Sequence, residues 1–169
     1  MKKFLIAMAI FTTVVSCSKA QTSFSEETLA STLLTTDNKP IDFKSIVANA
    51  SGKTTVYEFW ASWCSDCVKS MGKLKELQKA NPNVNYVFIS VDKTPEKWLA
   101  GIEKHELKGS HYLVTDAEGM KGKFGQSIKL DWIPRYIISN AKGEIVLFRA
   151  IEKDFEKMHE TLQSLNKEK

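Results

Sequence analysis

Thr54 to Trp60 is a β-branched and aromatic run with little alternation, and the chain passes from it almost at once into a helical pattern. A continuous apolar run of that length suits a strand covered on both faces. From Ser65 to Ala80, apolar residues recur at Cys67, Met71, Leu74 and Leu77, near the helical period, until Asn81-Pro82 ends the pattern. A doubly covered strand leading straight into a helix admits few architectures, because the sheet needs helices on each face. The junction carries Cys64-Ser65-Asp66-Cys67. Thiols at a first helical turn are close enough to bridge, and the unpaired N–H groups there stabilise a thiolate.

The flanking segments repeat the theme. Val84 to Val91 reads as a strand alternating around Val87 and Ile89, and Asp92 to His105 as a helix with Pro95 in its first turn. His111 to Val114 predicts a short strand and Ala117 to Phe124 a short helix. Ile133 to Ile138 and Ile145 to Phe148 flank Asn140-Ala141-Lys142-Gly143, a hairpin pattern, and Glu152 to Leu165 closes as an amphipathic helix. Upstream, a polar stretch to about Glu27 precedes a weak strand from Leu29 to Thr36. The turn Asp37-Asn38-Lys39-Pro40, the return through Ile41-Asp42-Phe43 and a short helix from Lys44 to Ala50 follow. The sum is an α/β sandwich: a mixed central sheet flanked by helices, with an N-terminal β-hairpin extension.

Met1-Lys2-Lys3 followed by apolar residues from Phe4 to Val15 is the pattern of a secretory leader rather than a membrane span. The expected division is a signal peptide over residues 1–20 and a single domain over 21–169, in the cell envelope. Two cleavage sites compete. Val14-Val15-Ser16-Cys17 resembles a lipobox that would make Cys17 the lipidated first residue, and Ser18-Lys19-Ala20 a signal-peptidase site releasing Gln21. Loss of 1–20 takes Lys2, Lys3 and Lys19 and no acid, leaving 21 basic against 20 acidic residues. So balanced a chain has no general field for nucleic acid or anionic lipid, and membrane contact is expected only through the lipid anchor.

Two thiolates at this spacing are also half of a zinc knuckle. A structural zinc site closes with four ligands, usually two local pairs, and here His105, His111 and His159 are scattered singly. No metal is expected within one chain; a shared site, or copper, stays open from the residues alone. As a staple the pair would add little, since the loop it closes is so short. Reactivity explains it better.

The run Glu58-Phe59-Trp60-Ala61-Ser62-Trp63-Cys64-Ser65-Asp66-Cys67, with Ile133-Pro134-Arg135-Tyr136 far downstream, resembles the thioredoxin superfamily and more closely its exported TlpA/ResA-like branch. The resemblance covers about residues 28 to 165. It implies a thiol–disulfide oxidoreductase with no cofactor beyond a redox-active Cys64–Cys67 disulfide, acting on disulfide or dithiol proteins and recharged by an upstream electron donor. Cys64 would be the exposed attacking thiolate and Cys67 the resolving thiol. Glu58 matches a buried acid that relays the Cys67 proton; a carboxylate inside an apolar strand should be neutral near pH 7 or have a specific partner. Ile133-Pro134 matches the loop that holds a cis proline facing the disulfide, turning the Ile133 backbone toward an extended substrate segment. Trp60 reads as packing, Trp63 as cover for the Cys64 side, and Arg135 as an exposed arginine.

Between the cysteines, Ser65-Asp66 departs from the Gly-Pro or Pro-Pro common among relatives. The Asp66 charge opposes a Cys64 thiolate, which makes the disulfide less oxidising and points to reduction of client disulfides. A peroxiredoxin would need a Pro-x-x-x-Thr-x-x-Cys setting, which residues 57 to 64 lack. The remaining alternative is a thioredoxin-like binding or copper-handling module without turnover.

Overall fold

The computed structural model describes residues 21–167. Residues 1–20, read in sequence as a leader with Cys17 as its lipidation site, lie outside the described residues. One seven-stranded sheet runs in the order β2-β1-β5-β4-β3-β6-β7, with β1 Thr32–Thr35, β2 Pro40–Asp42, β3 Thr55–Trp60, β4 Asn85–Ser90, β5 Ser110–Val114, β6 Arg135–Ser139 and β7 Ile145–Ala150. β3, β4 and β5 are parallel to one another, whereas β6 runs antiparallel to β3, β7 to β6, β1 to β5 and β2 to β1. The sheet is mixed and carries the expected N-terminal hairpin.

Helices α1 Glu26–Leu29, α2 Phe43–Asn49, α3 Ser65–Ala80, α4 Pro95–His105, α5 Lys123–Ser127 and α6 Phe155–Lys167 cover both faces. Alternation along β3 sorts them. Tyr57 meets Phe24 and Phe43, and Phe59 meets Phe124 of α5. On the opposite face Tyr136 stacks edge-on with Phe155 of α6, and α3 packs beside α6. All six β3 residues are buried, as the sequence pattern requires. β4 does not alternate as expected: lying between β3 and β5, it is buried at every position after Asn85.

Among the boundaries that differ from the sequence reading, three have a plain local cause. Glu26–Leu29 is helical, because Ser25 caps it by accepting from the Thr28 N–H at 3.1 Å and two acids occupy its first turn, so the strand starts only at Thr32. α4 begins at Pro95, with Thr94 as its cap, which frees Asp92 for another partner. The helix expected over Ala117–Phe124 divides into a 3₁₀ turn, Gly119–Lys121, and α5; Asp116 takes the Phe124 N–H at 2.8 Å and starts α5 afresh. Gly101 seats α4 against the loop after β3, since a Cβ there would lie 2.8 Å from Ser62 Cβ and 3.1 Å from the Trp60 ring. Among the described residues no helix is long and apolar enough to cross a membrane.

Candidate active site

β3 ends at Trp60, and a loop through Ala61 to Trp63 delivers Cys64 to the start of α3 as its N-cap. There the Cys64 sulfur accepts the Cys67 N–H at 3.1 Å, in the position where an oxygen cap would stand. Cys64 and Cys67 form a disulfide across a Cα separation of 5.3 Å. A Cys64 thiolate freed by reduction would inherit the same N–H and the positive end of the helix. The disulfide caps the helix through its outer sulfur.

Cys64 is not the exposed residue expected: only 6% of its surface is open, because Trp63, Met120, Trp132 and Ile133 wall a hollow of about 330 Å³ with Cys64 at its floor. The rim is apolar. Trp63 is 57% and Trp132 49% exposed, so the largest exposed apolar side chains flank the disulfide. The Ile133–Pro134 peptide is cis, and Ile133 O lies 3.5 Å from Cys64 Sγ. The loop thus comes to the sulfur that the sequence reading assigned to attack.

Behind the disulfide, Glu58 is 2% exposed and opposite Tyr136 in the β3–β6 register. Burial pushes its carboxyl up to about 8, against the pull of a hydrogen bond that Tyr136 Oη donates to Oε1 at 3.3 Å. Oε2 has no partner. Glu58 is therefore both things the sequence allowed, raised and partnered, and it stands in a central strand rather than at an edge. Tyr136 Oη is also 3.3 Å from Ser70 Oγ, which donates to Cys67 O at 2.8 Å, and Cys67 is wholly buried. A hydrogen-bonded path joins Glu58 to the first turn of α3.

Asp92 follows β4 and holds the loop before Cys64. Its carboxylate accepts the Ser62 N–H at 2.9 Å, the Ser62 hydroxyl at 2.7 Å and the Ser90 hydroxyl at 2.8 Å. Read in sequence as the first residue of a helix, it is instead a buried clamp.

Arg135 also contradicts its reading, being 1% exposed. Its guanidinium pairs with Asp131, which in turn takes Arg149 at 2.6 Å. The ion pair ties both ends of the cis-proline loop to β7. His111 stacks on Phe88 and bonds Leu107 O, a packing role, and among the described residues no three His, Cys, Asp or Glu side chains gather as a metal site would need.

Sequence reasoning missed Tyr136, Ser70, Asp92, Met120 and Trp132. Ser70 stands one turn after Cys67, and Tyr136 two residues after Pro134, so spacing marks them as neighbours without showing what they touch.

The thioredoxin-like family model matches residues 52–145. Sporulation thiol-disulfide oxidoreductase A of Bacillus subtilis (strain 168) is 23% identical over 107 residues, 63% of this chain and 65% of that protein. Soluble secreted antigen MPT53 of Mycobacterium tuberculosis is 26% identical over 118 residues, 70% of this chain and 63% of that one. The chain spans just under two thirds of the length of either relative. The crystal structure of the thioredoxin domain of a thiol-disulfide oxidoreductase from Bacteroides vulgatus superposes with a TM-score of 0.65 at 19% identity, over 86% of this chain and 98% of that one, a likeness of fold. With the matched segment running from the residues before β3 to the start of β7, and so enclosing the disulfide and the cis-proline loop, the chain belongs to the thioredoxin-like family.

Proposed function

We propose that the protein is a thiol–disulfide oxidoreductase of the bacterial cell envelope that reduces disulfides in client proteins. The observation that carries this is the Cys64–Cys67 disulfide capping α3 in a largely apolar hollow, with the Ile133 carbonyl beside Cys64. In the reduced protein, Cys64 thiolate attacks a client disulfide; one client sulfur leaves as a thiolate and takes a proton from water, and a Cys64–client bond forms. Glu58 in its carboxylate form then takes the Cys67 proton, and the Cys67 thiolate attacks Cys64, forming the intramolecular disulfide; the second client sulfur leaves as a thiolate and takes a proton from water, so the client departs reduced by two electrons. Substrate contacts fall to Trp63, Ile133 and Pro134, with the client segment lying extended along the loop. An upstream donor returns two electrons to the disulfide.

The expectation of a leader over 1–20 and the name of one relative, a secreted antigen, support export; lipidation at Cys17 is part of the same reading. Reduction rather than oxidation rests on Asp66, in the first turn of α3 beside Cys64, although Lys69 stands 3.5 Å from it and offsets part of its charge.

Trapping tests the proposal. The Cys67→Ala form, reduced and added to envelope extract, should retain clients as mixed disulfides released by dithiothreitol, and the Cys64→Ala/Cys67→Ala form should retain none. A Cys67→Ala protein whose Cys64 alkylates readily yet captures no protein rules out transfer. A reduction potential near about −120 mV, rather than in the thioredoxin range of about −270 mV, would reverse the direction.

A further inference from the structure

Resting on the reading of Glu58 as proton acceptor for Cys67, a count of protons in the path behind the disulfide gives Tyr136 a task of its own. Four polar groups stand in line: Glu58 Oε1, Tyr136 Oη at 3.3 Å, Ser70 Oγ at 3.3 Å from that, and Cys67 O at 2.8 Å from Ser70. Cys67 O only accepts, so Ser70 spends its single proton there. Tyr136 has one proton and two neighbours that can take it. When Glu58 is neutral it donates to Tyr136 Oη, Tyr136 donates to Ser70 Oγ, and every proton in the line is used. When Glu58 is charged it can only accept, so the phenol proton turns to it and Ser70 Oγ loses its donor. We propose that Tyr136 is a positioning residue whose hydroxyl proton swings between Ser70 and Glu58 as Glu58 loses or gains charge, and so sets the pH at which Glu58 can take the Cys67 proton.

The surroundings leave that balance to these groups. Glu58, Tyr136 and Ser70 are all buried, and Phe155 of α6 closes over the Tyr136 ring. Glu152, after β7, is the other charged group acting on Tyr136; one of its buried oxygens is unpartnered, and together with burial and Glu58 it keeps the phenol proton in place. Tyr136 therefore swings its proton without giving it up.

The two bonds to Tyr136 stabilise opposite states of Glu58, so deleting each should move it in opposite directions. The test is the Glu58 pKa in the oxidised protein, followed through its side-chain carboxyl carbon by NMR in wild type and in the Tyr136→Phe and Ser70→Ala forms, with Glu58→Gln to assign the signal. Tyr136→Phe removes the donor to the charged form, and the pKa should rise by about one unit or more. Ser70→Ala removes the partner of the neutral state, and the pKa should fall. Shifts of the same sign, or no shift in either, overturn the proposal, and a merely structural role for Tyr136 has no reason to yield opposite signs. Because this titration needs no client, failure of the wild-type protein to turn over disulfides would remove the proposed function and leave this result readable on its own.

Discussion

Asp92 grips Ser62 twice, its carboxylate taking the backbone N–H at 2.9 Å and the hydroxyl at 2.7 Å, across thirty residues of sequence. Ser62 stands two residues before Cys64, in the loop that leads from β3 to the disulfide. Since Asp92 also accepts from Ser90 at the end of β4, the loop is pinned to the sheet rather than to α3. Replacing Asp92 by Ala would leave two hydroxyls and one N–H without their acceptor. The expected cost is about 2–4 kcal/mol in urea unfolding, and Cys64 of the reduced variant should react less selectively with alkylating agents as its loop loosens. A loss under about 0.5 kcal/mol would show that water replaces the carboxylate.

Glu58 makes stability depend on pH. A buried carboxyl raised from 4.5 to about 8 binds its proton in the folded state over a range where the unfolded chain has released it. Its contribution is full below the unfolded value and is lost as pH rises through the folded one, by about 1.4 kcal/mol per unit in between. Oxidised wild-type protein should therefore unfold at lower denaturant at pH 8 than at pH 5. In Glu58→Gln that decline should largely disappear.

Asp66 is one-third exposed and paired with Lys69, so its charge is partly screened at the sulfur. Asp66→Asn stabilises the Cys64 thiolate and with it the reduced form, which raises the reduction potential. At about 0.3–1 kcal/mol for a charge at a helix N-terminus, and 30 mV per 1.4 kcal/mol, the expected rise is about 6–20 mV against a glutathione buffer. An unchanged potential would mean that Lys69 and water already cancel the charge.

Trp132 belongs with Trp63 on the rim of the hollow. Trp132→Ala removes apolar surface that a client segment would cover, worth about 1.5–3 kcal/mol for a large side chain, so kcat/KM toward a protein disulfide should fall at least about tenfold. Bis(2-hydroxyethyl) disulfide, too small to reach the rim, should react at close to the wild-type rate. Equal losses on both substrates would mean that Trp132 shapes the disulfide itself.

Asp131→Ala is expected to destabilise the fold by about 2–3 kcal/mol, because it strands the Arg135 guanidinium, which is almost wholly buried. Arg135→Leu, which removes the buried charge along with its partner's need, should cost less. The ranking, read from thermal or urea unfolding, is the discriminating result.

Periodicity is a local property, and what it encodes was legible. The apolar run of β3, the helical spacing of α3 and the turn before β7, where Gly143 adopts φ of 83°, each depend on neighbours a few residues away. The Glu58 reading also followed locally: a carboxylate in a strand buried on both faces has a raised affinity for its proton wherever the rest of the chain goes. Where local signals competed, they misled. Asp92 before Pro95 looked like a helix start, but Thr94 supplies the cap and Asp92 turns inward to Ser62. Arg135 beside a proline in a loop looked solvent-facing, yet its position at the start of a strand paired on both sides put it inside.

From the amino-acid order alone came the alternation of strand and helix, the mixed sheet, and a pair of thiols at the one place where a helix terminus can tune them. The acid behind that pair came with it. Which groups meet was decided by the assembled sheet. Glu58 and Tyr136 are 78 residues apart, Ser70 and Tyr136 66, and Cys64 and Ile133 69, and each pair meets through strand register and the seating of α3 on the sheet. A shift of one residue in the β3–β6 pairing would turn the Tyr136 hydroxyl to the opposite face. Sheet order and register come from burying all the apolar faces at once, so no local run of residues could specify the partners of Glu58 or the clamp on Ser62.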